Sequence, residues 1–332
     1  MSRMSTDPVR QALHGPTMGT RWSALFYTPS CFDAGTAQAA LQLAIDEVDA
    51  QMSTWKPDSD LMRLNRAPVR TWVPVPDHLL DVIRLGLNVG RDSGGAFDIG
   101  MGDAVAAWGF ASAEASADRI RRAMQARRLP AYHALEIDGT RVRKRMPITL
   151  DLNGIAKGYG VDRLAAVLDG FGVGNGLVGI DGEMRAIGLR PDGEAWTIAL
   201  EEPHPNRRTP HSILSLQDCA VATSGDYRHW IEIQGRRLSH TMDPASGAPL
   251  AASPASVTVL APRCVEADAW ATALMVLGPD RGAELARQRG VDALFLCRGE
   301  AHSLRVCRIG RLFECGQPSS PGADPALNAV PS

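Results

Sequence analysis

Strand-like segments outnumber helical ones in this chain of 332 residues, and they arrive in runs rather than in alternation with helices. A doubly wound parallel sheet needs that alternation, so the pattern points to an α+β fold in which mixed β-sheets are flanked by helices. The strand candidates are MGTRWSALFY, where Trp22, Ala24 and Phe26 alternate with Ser23, Leu25 and Tyr27, then ITLDL (Ile148 to Leu152), GLVGI, AWTIAL, CAVATS, SVTVLAP and ALFLC. Helical spacing runs from about Thr36 to Met52 and restarts briefly beyond Pro57, with Asp58 or Ser59 as N-cap. It returns over Asp77 to Arg91, over Ser112 to Arg128, in IAKGYGVDRLAAVLD and in EADAWATALMVLG. At about 150 residues per domain, the length implies one large domain or two. The expected organisation is a polar leader over 1–15, a domain of one or two subdomains over 16–315, and a disordered tail rich in Pro, Gly and Ser over 316–332.

Charge excludes some partners. With 35 basic and 37 acidic side chains the formal charge is −2, so nothing in the composition attracts nucleic acid or an anionic membrane. The local run Arg119, Arg121, Arg122, Arg127 and Arg128 reads as the solvated face of a helix. No window approaches the ~18 apolar residues of a transmembrane helix, and MSRMSTDPVRQALHG lacks the apolar core of a secretory signal. The expectation for the chain as written is the cytoplasm, or the periplasm if a leader has been removed. Six scattered cysteines without a CxxC support neither a zinc site nor a redox dithiol.

Three segments carry chemistry. In ITLDLNGIAKGYGVD small residues bring the backbone close to something, and Lys157 projects from the first turn of a helix whose free amides suit a phosphate. The GxxxxGK[ST] spacing is absent, which argues against Walker-type nucleotide hydrolysis, and a tight turn with a surface lysine explains the segment equally well. In EADAWATALMVLG, Asp268 and Thr272 lie four apart on one helix face and offer a carboxylate and a hydroxyl to a hard cation such as Mg2+. In isolation the pair is better explained by a carboxylate favoured at the helix N-terminus and a threonine bonding back to its own helix. SHTMDPASG places His240 three residues before Asp243 in a turn closed by Pro244 and Gly247, where either side chain suits proton handling or plain polar surface. DGEMRAIG and SGDYRHW add carboxylates, a glycine turn and an aromatic, without being specific alone.

Together these pieces resemble one family, the FAD:protein FMN transferases or ApbE family, from about Thr17 to Leu296. The markers are MGT (Met18 to Thr20), MSTWKPDSDLMRLN, GGAFDIG, AAWGF, DLNGIAKGYGVDRL, GDYRHW, LSHTMDPASG and SVTVLAPRCVEADAWATALMVLG. Each is weak, but eight in the same order over most of the chain are hard to obtain by chance.

The resemblance implies an ApbE-like α+β fold of mixed sheets and flanking helices. It also implies a flavin site built from Met18, Trp55, Ala96, Phe97, Asp98, Asp151, Lys157 and Met242, with FAD as bound donor. Mg2+ would be held by the Asp268 carboxylate, the Thr272 hydroxyl and the Gly154 carbonyl, and His240 is the candidate proton handler. The implied reaction moves the FMN half of FAD onto a threonine or serine hydroxyl of an acceptor protein and releases AMP. Two alternatives are a Mg2+-dependent FAD pyrophosphatase giving FMN and AMP, and a non-catalytic flavin-binding protein. Two positions depart from the family pattern. Trp55 stands where tyrosine is more usual and keeps a stacking surface, and Glu183 stands where aspartate is usual.

Overall fold

Alternation along Thr20–Thr28 turns Trp22, Ala24, Phe26 and Thr28 to one face, where Trp22 and Phe26 are completely buried. This strand belongs to an eight-stranded sheet, seen in a computed structural model that describes residues 8–111, 114–204, 209–227, 230–233, 236–250, 254–299 and 303–314. The strands are β1 (Val9–Thr17), β2 (Thr20–Thr28), β3 (Gly176–Ile180), β4 (Glu183–Ile187), β5 (Ala220–Gly225), β6 (Ser256–Ala261), β7 (Asp292–Arg298) and β8 (Leu304–Ile309). They lie side by side in chain order, and each pairs with the next in antiparallel fashion. The α+β expectation therefore holds. Where mixed sheets were expected, the strand pairings among the described residues are antiparallel, and the single parallel contact among them is a bridge between Met101 and Thr149.

Four helices carry most of the covering layer: α1 (Ala34–Met52), α2 (Asp77–Asp92), α3 (Ala156–Gly170) and α4 (Cys264–Arg289). Asp33 caps α1 by accepting the Gly35 and Thr36 amides, and the Ser59 hydroxyl caps the short helix Asp60–Arg66 through the Met62 amide. Leu41 and Ile45 of α1 and Val161, Leu164 and Leu168 of α3 pack on the inner face of β2 and β3. Ala267, Ala271, Leu274 and Met275 of α4 pack on β5, β6 and β7. The hairpin Trp196–Glu201/Pro210–Leu216 covers the opposite face with Trp196, Ile198, Leu200 and Leu216. Covered on both faces, β6 buries Ser256 through Leu260 without alternation. α4 breaks where Gly278 leaves helical geometry (φ 75°, ψ 177°) ahead of Pro279, which is where the apolar periodicity ends. Among the described residues no helix is long and apolar enough to cross a membrane.

Three expectations are corrected. Val9 to Gly15, read as part of a polar leader, form most of edge strand β1; its own residues are largely exposed, so the only strong signal is its partner β2. ITLDL is extended but not a sheet strand. The Asn65 side chain pairs with both backbone groups of Leu150, at 2.9 and 2.8 Å, and the Asp151 amide donates to Ile99. The helix expected over Ser112 to Arg128 is confined to Ala117–Gln125. Ser112, residues 1–7, the expected tail over 316–332, and Arg228 and His229 of SGDYRHW lie outside the described residues.

The packing that matters most for function joins α3 to α4. Asp162 of α3 accepts the Cys264 and Val265 amides at 3.0 Å each, capping α4 from a neighbouring helix, and it also pairs with Arg185 at 2.6 Å. One turn earlier a Cβ on Gly158 would stand 2.5 Å from the Cys264 carbonyl oxygen and 2.7 Å from Asp268 Cβ. Only glycine permits that approach, which lets the Gly158 amide donate to Asp268 Oδ2 at 2.9 Å. Gly158→Ala should force the helices apart and cost ~1–3 kcal/mol, the usual penalty for overpacking. Urea unfolding checks this: the midpoint should fall with the slope unchanged.

Candidate active site

The ends of β2, β3 and β5 and the first turns of α3 and α4 meet at one end of the sheet. Two tight turns lie there side by side. Met18 and Gly19 both take positive φ (43° and 72°) between the paired Thr17 and Thr20, the primed geometry suited to a two-residue hairpin. Asp181 (φ 58°) and Gly182 turn β3 into β4, and the Asp181 amide reaches the Arg21 carbonyl. A non-glycine residue in this region is strained and needs support, and Met18 has it from the core around it.

These turns border a cavity of about 700 Å³, within the ordinary range for a ligand site. All twelve residues selected from the sequence line it: Met18, Trp55, Ala96, Phe97, Asp98, Asp151, Gly154, Lys157, His240, Met242, Asp268 and Thr272. At its rim the Trp55 ring is 60% exposed, a large apolar surface with no core to fill. His240 stands edge-on to Phe110, with ring centres 6.4 Å apart, and Met242 packs with Met101 and Val105. Deeper in, Asp98 Oδ1 accepts the Gly100 and Ala131 amides at 2.8 and 3.0 Å and so holds its loop, while burial pushes its carboxyl upward. Asp151 takes the Asn153 amide at 2.9 Å, and burial pushes its carboxyl up to about 6.

At the floor, Asp268 is 4% exposed. Burial and the neighbouring Glu183 carboxylate push it up to about 7, against the opposing pull of Lys157. Thr272 Oγ1 lies 3.3 Å from the Ser224 hydroxyl, and a Cβ on Gly154 would stand 3.0 Å from the same Thr272 oxygen. The Gly154 backbone, the Thr272 hydroxyl and the Asp268 carboxylate all line the cavity. Among the described residues no group of three or more His, Cys, Asp or Glu side chains is arranged around a metal. The oxygen donors at the floor instead form a sparse, hard set of the kind Mg2+ completes with phosphate and water.

Lys157 is engaged within the protein, its Nζ 2.8 Å from Glu183 Oε1 and 3.6 Å from Asp181 Oδ2. Burial opposes its charge, but Glu183, Asp268 and Asp181 outweigh burial and raise its pKa. Lys144, 5% exposed, donates to the Asn65 carbonyl and does not line the cavity. Sequence reasoning passed over Asp162 and Asn65, which orient the wall without touching the cavity, and Ser224, which sits in a segment it found unspecific. Asp162 already lay within the helix read over IAKGYGVDRLAAVLD, one turn beyond Gly158, but nothing local marks its partner, the start of α4.

The sequence matches the ApbE family over residues 18–295. It is 38% identical over 291 residues to a Vibrio cholerae protein named FAD:protein FMN transferase, spanning 86% of this chain and 87% of that one. The solved flavin transferase ApbE from Vibrio cholerae superposes with a TM-score of 0.81 at 33% identity and covers 93% of this chain and 99% of its own. The flavinyl transferase ApbE of Pseudomonas stutzeri, in its apo form, gives 0.81 at 36%, with 92% and 96% covered.

Asp151 makes a pH prediction. Its carboxyl titrates near 6 in the fold but near ~3.9 in an unfolded chain, so its contribution to stability is full below about pH 4 and is lost as pH rises through 6. Asp268 contributes a slope of the same sign. Asp151→Asn should therefore flatten the fall of ligand-free thermal midpoints between about pH 4 and 7 without abolishing it. Calorimetric melts of both proteins across that range check the difference.

Proposed function

The chain belongs to the ApbE family, and we propose that it is an FAD:protein FMN transferase that moves the FMN half of FAD onto a threonine or serine hydroxyl of an acceptor protein, releasing AMP. One observation carries this reading: an exposed stacking ring, a rim histidine and a floor of hard oxygen donors share a single cavity although they come from distant parts of the chain. A flavin carrier would need the ring but has no use for the floor.

The residues divide the work by position. Trp55 offers its face to a planar ring, and Met18, Phe97 and Met242 supply apolar wall. The cavity is otherwise acidic, with Asp49, Asp98, Asp151, Asp181, Glu183 and Asp268 against Lys56, Lys157 and His240. An anionic pyrophosphate needs extra positive charge to enter such a site. Asp268, Thr272 and the Gly154 carbonyl fit a Mg2+ ion, which when bound would supply that charge as a Lewis acid. The acceptor hydroxyl forms the new bond to the FMN-side phosphorus, the bond to the bridging oxygen breaks, and AMP leaves with that oxygen. His240, on the rim where an acceptor enters, takes the hydroxyl proton. Lys157 keeps its charge against the same wall.

The test is incubation with FAD, Mg2+ and an acceptor domain carrying a candidate threonine or serine, read by intact mass. The acceptor should gain one FMN group and AMP should appear in equal amount; FMN and AMP released with no gain in mass would make the enzyme a pyrophosphatase. Asp268→Ala should abolish turnover yet leave a folded protein by circular dichroism, with Thr272→Ala milder because water replaces a neutral hydroxyl. His240→Asn should slow single-turnover transfer by roughly 10²–10⁴-fold with FAD affinity unchanged, as expected for loss of a general base. A parallel fall in FAD affinity would instead make His240 a binding residue.

A further inference from the structure

Glu183 is 3% exposed, and the mechanism above gives it no task. It opens β4 directly after the turn through Asp181 and Gly182, so that turn presents two carboxylates to one ammonium, Lys157. A carboxylate buried to this degree is tolerated only when paired, and the 2.8 Å contact to Lys157 Nζ supplies the pairing.

Lys157 has a competing attraction. Asp268 lies within its electrostatic range and favours its charged form. The amide that Asp268 accepts belongs to Gly158, the residue that follows Lys157 in the chain, so the lysine stem starts one peptide away from that carboxylate. Four flexible methylenes bridge such a gap by a change of rotamer. A lysine seated on Asp268 would neutralise the one buried carboxylate of the cation site. Asp181, about a quarter exposed and 3.6 Å away, is a weaker tether than Glu183.

We propose that Glu183 is a positioning residue that holds Lys157 off Asp268, leaving the Asp268 carboxylate available to a divalent cation and the lysine charge on the cavity wall. The proposal rests on the reading of Asp268 as a cation ligand. Glu183 thus acts chiefly through Lys157, over and above the direct field its own charge exerts on Asp268, and a mutant cycle separates the two.

A double-mutant cycle tests this, with Mn2+ as the probe, followed by EPR in FAD-free protein. Glu183→Gln should weaken Mn2+ binding by roughly 10-fold, and Lys157→Met should bind at least as tightly as wild type. The double variant should bind as Lys157→Met does, because without the lysine the glutamate has nothing to hold. Equal weakening by Glu183→Gln with and without Lys157 would overturn the proposal, since the carboxylate would then act directly. Unchanged binding in Glu183→Gln would overturn it as well. Wild-type protein that takes up no Mn2+ would overturn the cation site and this proposal with it, an outcome distinct from either result of the cycle. Glu183→Asp keeps the carboxylate and serves if Glu183→Gln fails to fold: it should retain Mn2+ affinity while Lys157→Met in the same background changes nothing, and a loss restored by removing the lysine would mean that reach to Lys157 is what counts.

Discussion

The contact between α3 and α4 governs the site because it is sealed by hydrogen bonds as well as by packing. Asp162 supplies the acceptors that the first amides of α4 lack, and Gly158 lets the helices approach until its own amide meets Asp268. All three bonds point across the same interface. The register of α4 against α3 is thereby set to within a hydrogen-bond length, and with it the positions of Asp268, Thr272 and Lys157, which all rise from these two helices. The sheet contributes by ending where they begin, so that the turns at Met18 and Asp181 face the helix starts.

Electrostatics explains why such rigid placement is needed. The cavity carries more carboxylate than ammonium, and two of its carboxylates, Asp268 and Glu183, are almost wholly buried. In a medium of reduced dielectric that imbalance favours protons or cations at Asp268, which is the physical meaning of its elevated pKa. On the proposed function, an anionic flavin nucleotide and a positive ion would be mutually dependent occupants. Lys157 belongs to this balance, tied to Glu183 at the wall.

Much of this was legible in the chain. Period-two alternation found Trp22, Ala24 and Phe26 on the inner face of β2, and a period of four put Asp268 and Thr272 together on α4. The last helix was legible only as far as Gly278, where α4 kinks, and its continuation from Pro279 to Arg289 was missed. Edge strand β1 was not legible, because a half-exposed strand with Arg10, His14 and Pro16 shows no alternation strong enough to separate it from a polar leader. ITLDL misled for the opposite reason: its alternation is real, but its partners are the Asn65 amide and a loop rather than a strand.

Local order thus decided which side chains share a face, where helices start and stop, and which short segments belong to the ApbE pattern, since these depend on residues three or four positions apart. Tertiary structure decided what those faces meet. That Lys157 is held by Glu183 and Asp181, that Asp162 caps a helix beginning 102 residues later, and that Ser224 reaches Thr272 across 48 residues are long-range facts. No periodicity encodes them, because each depends on the closing of a sheet and the docking of two helices before the partners come within a few ångströms of each other.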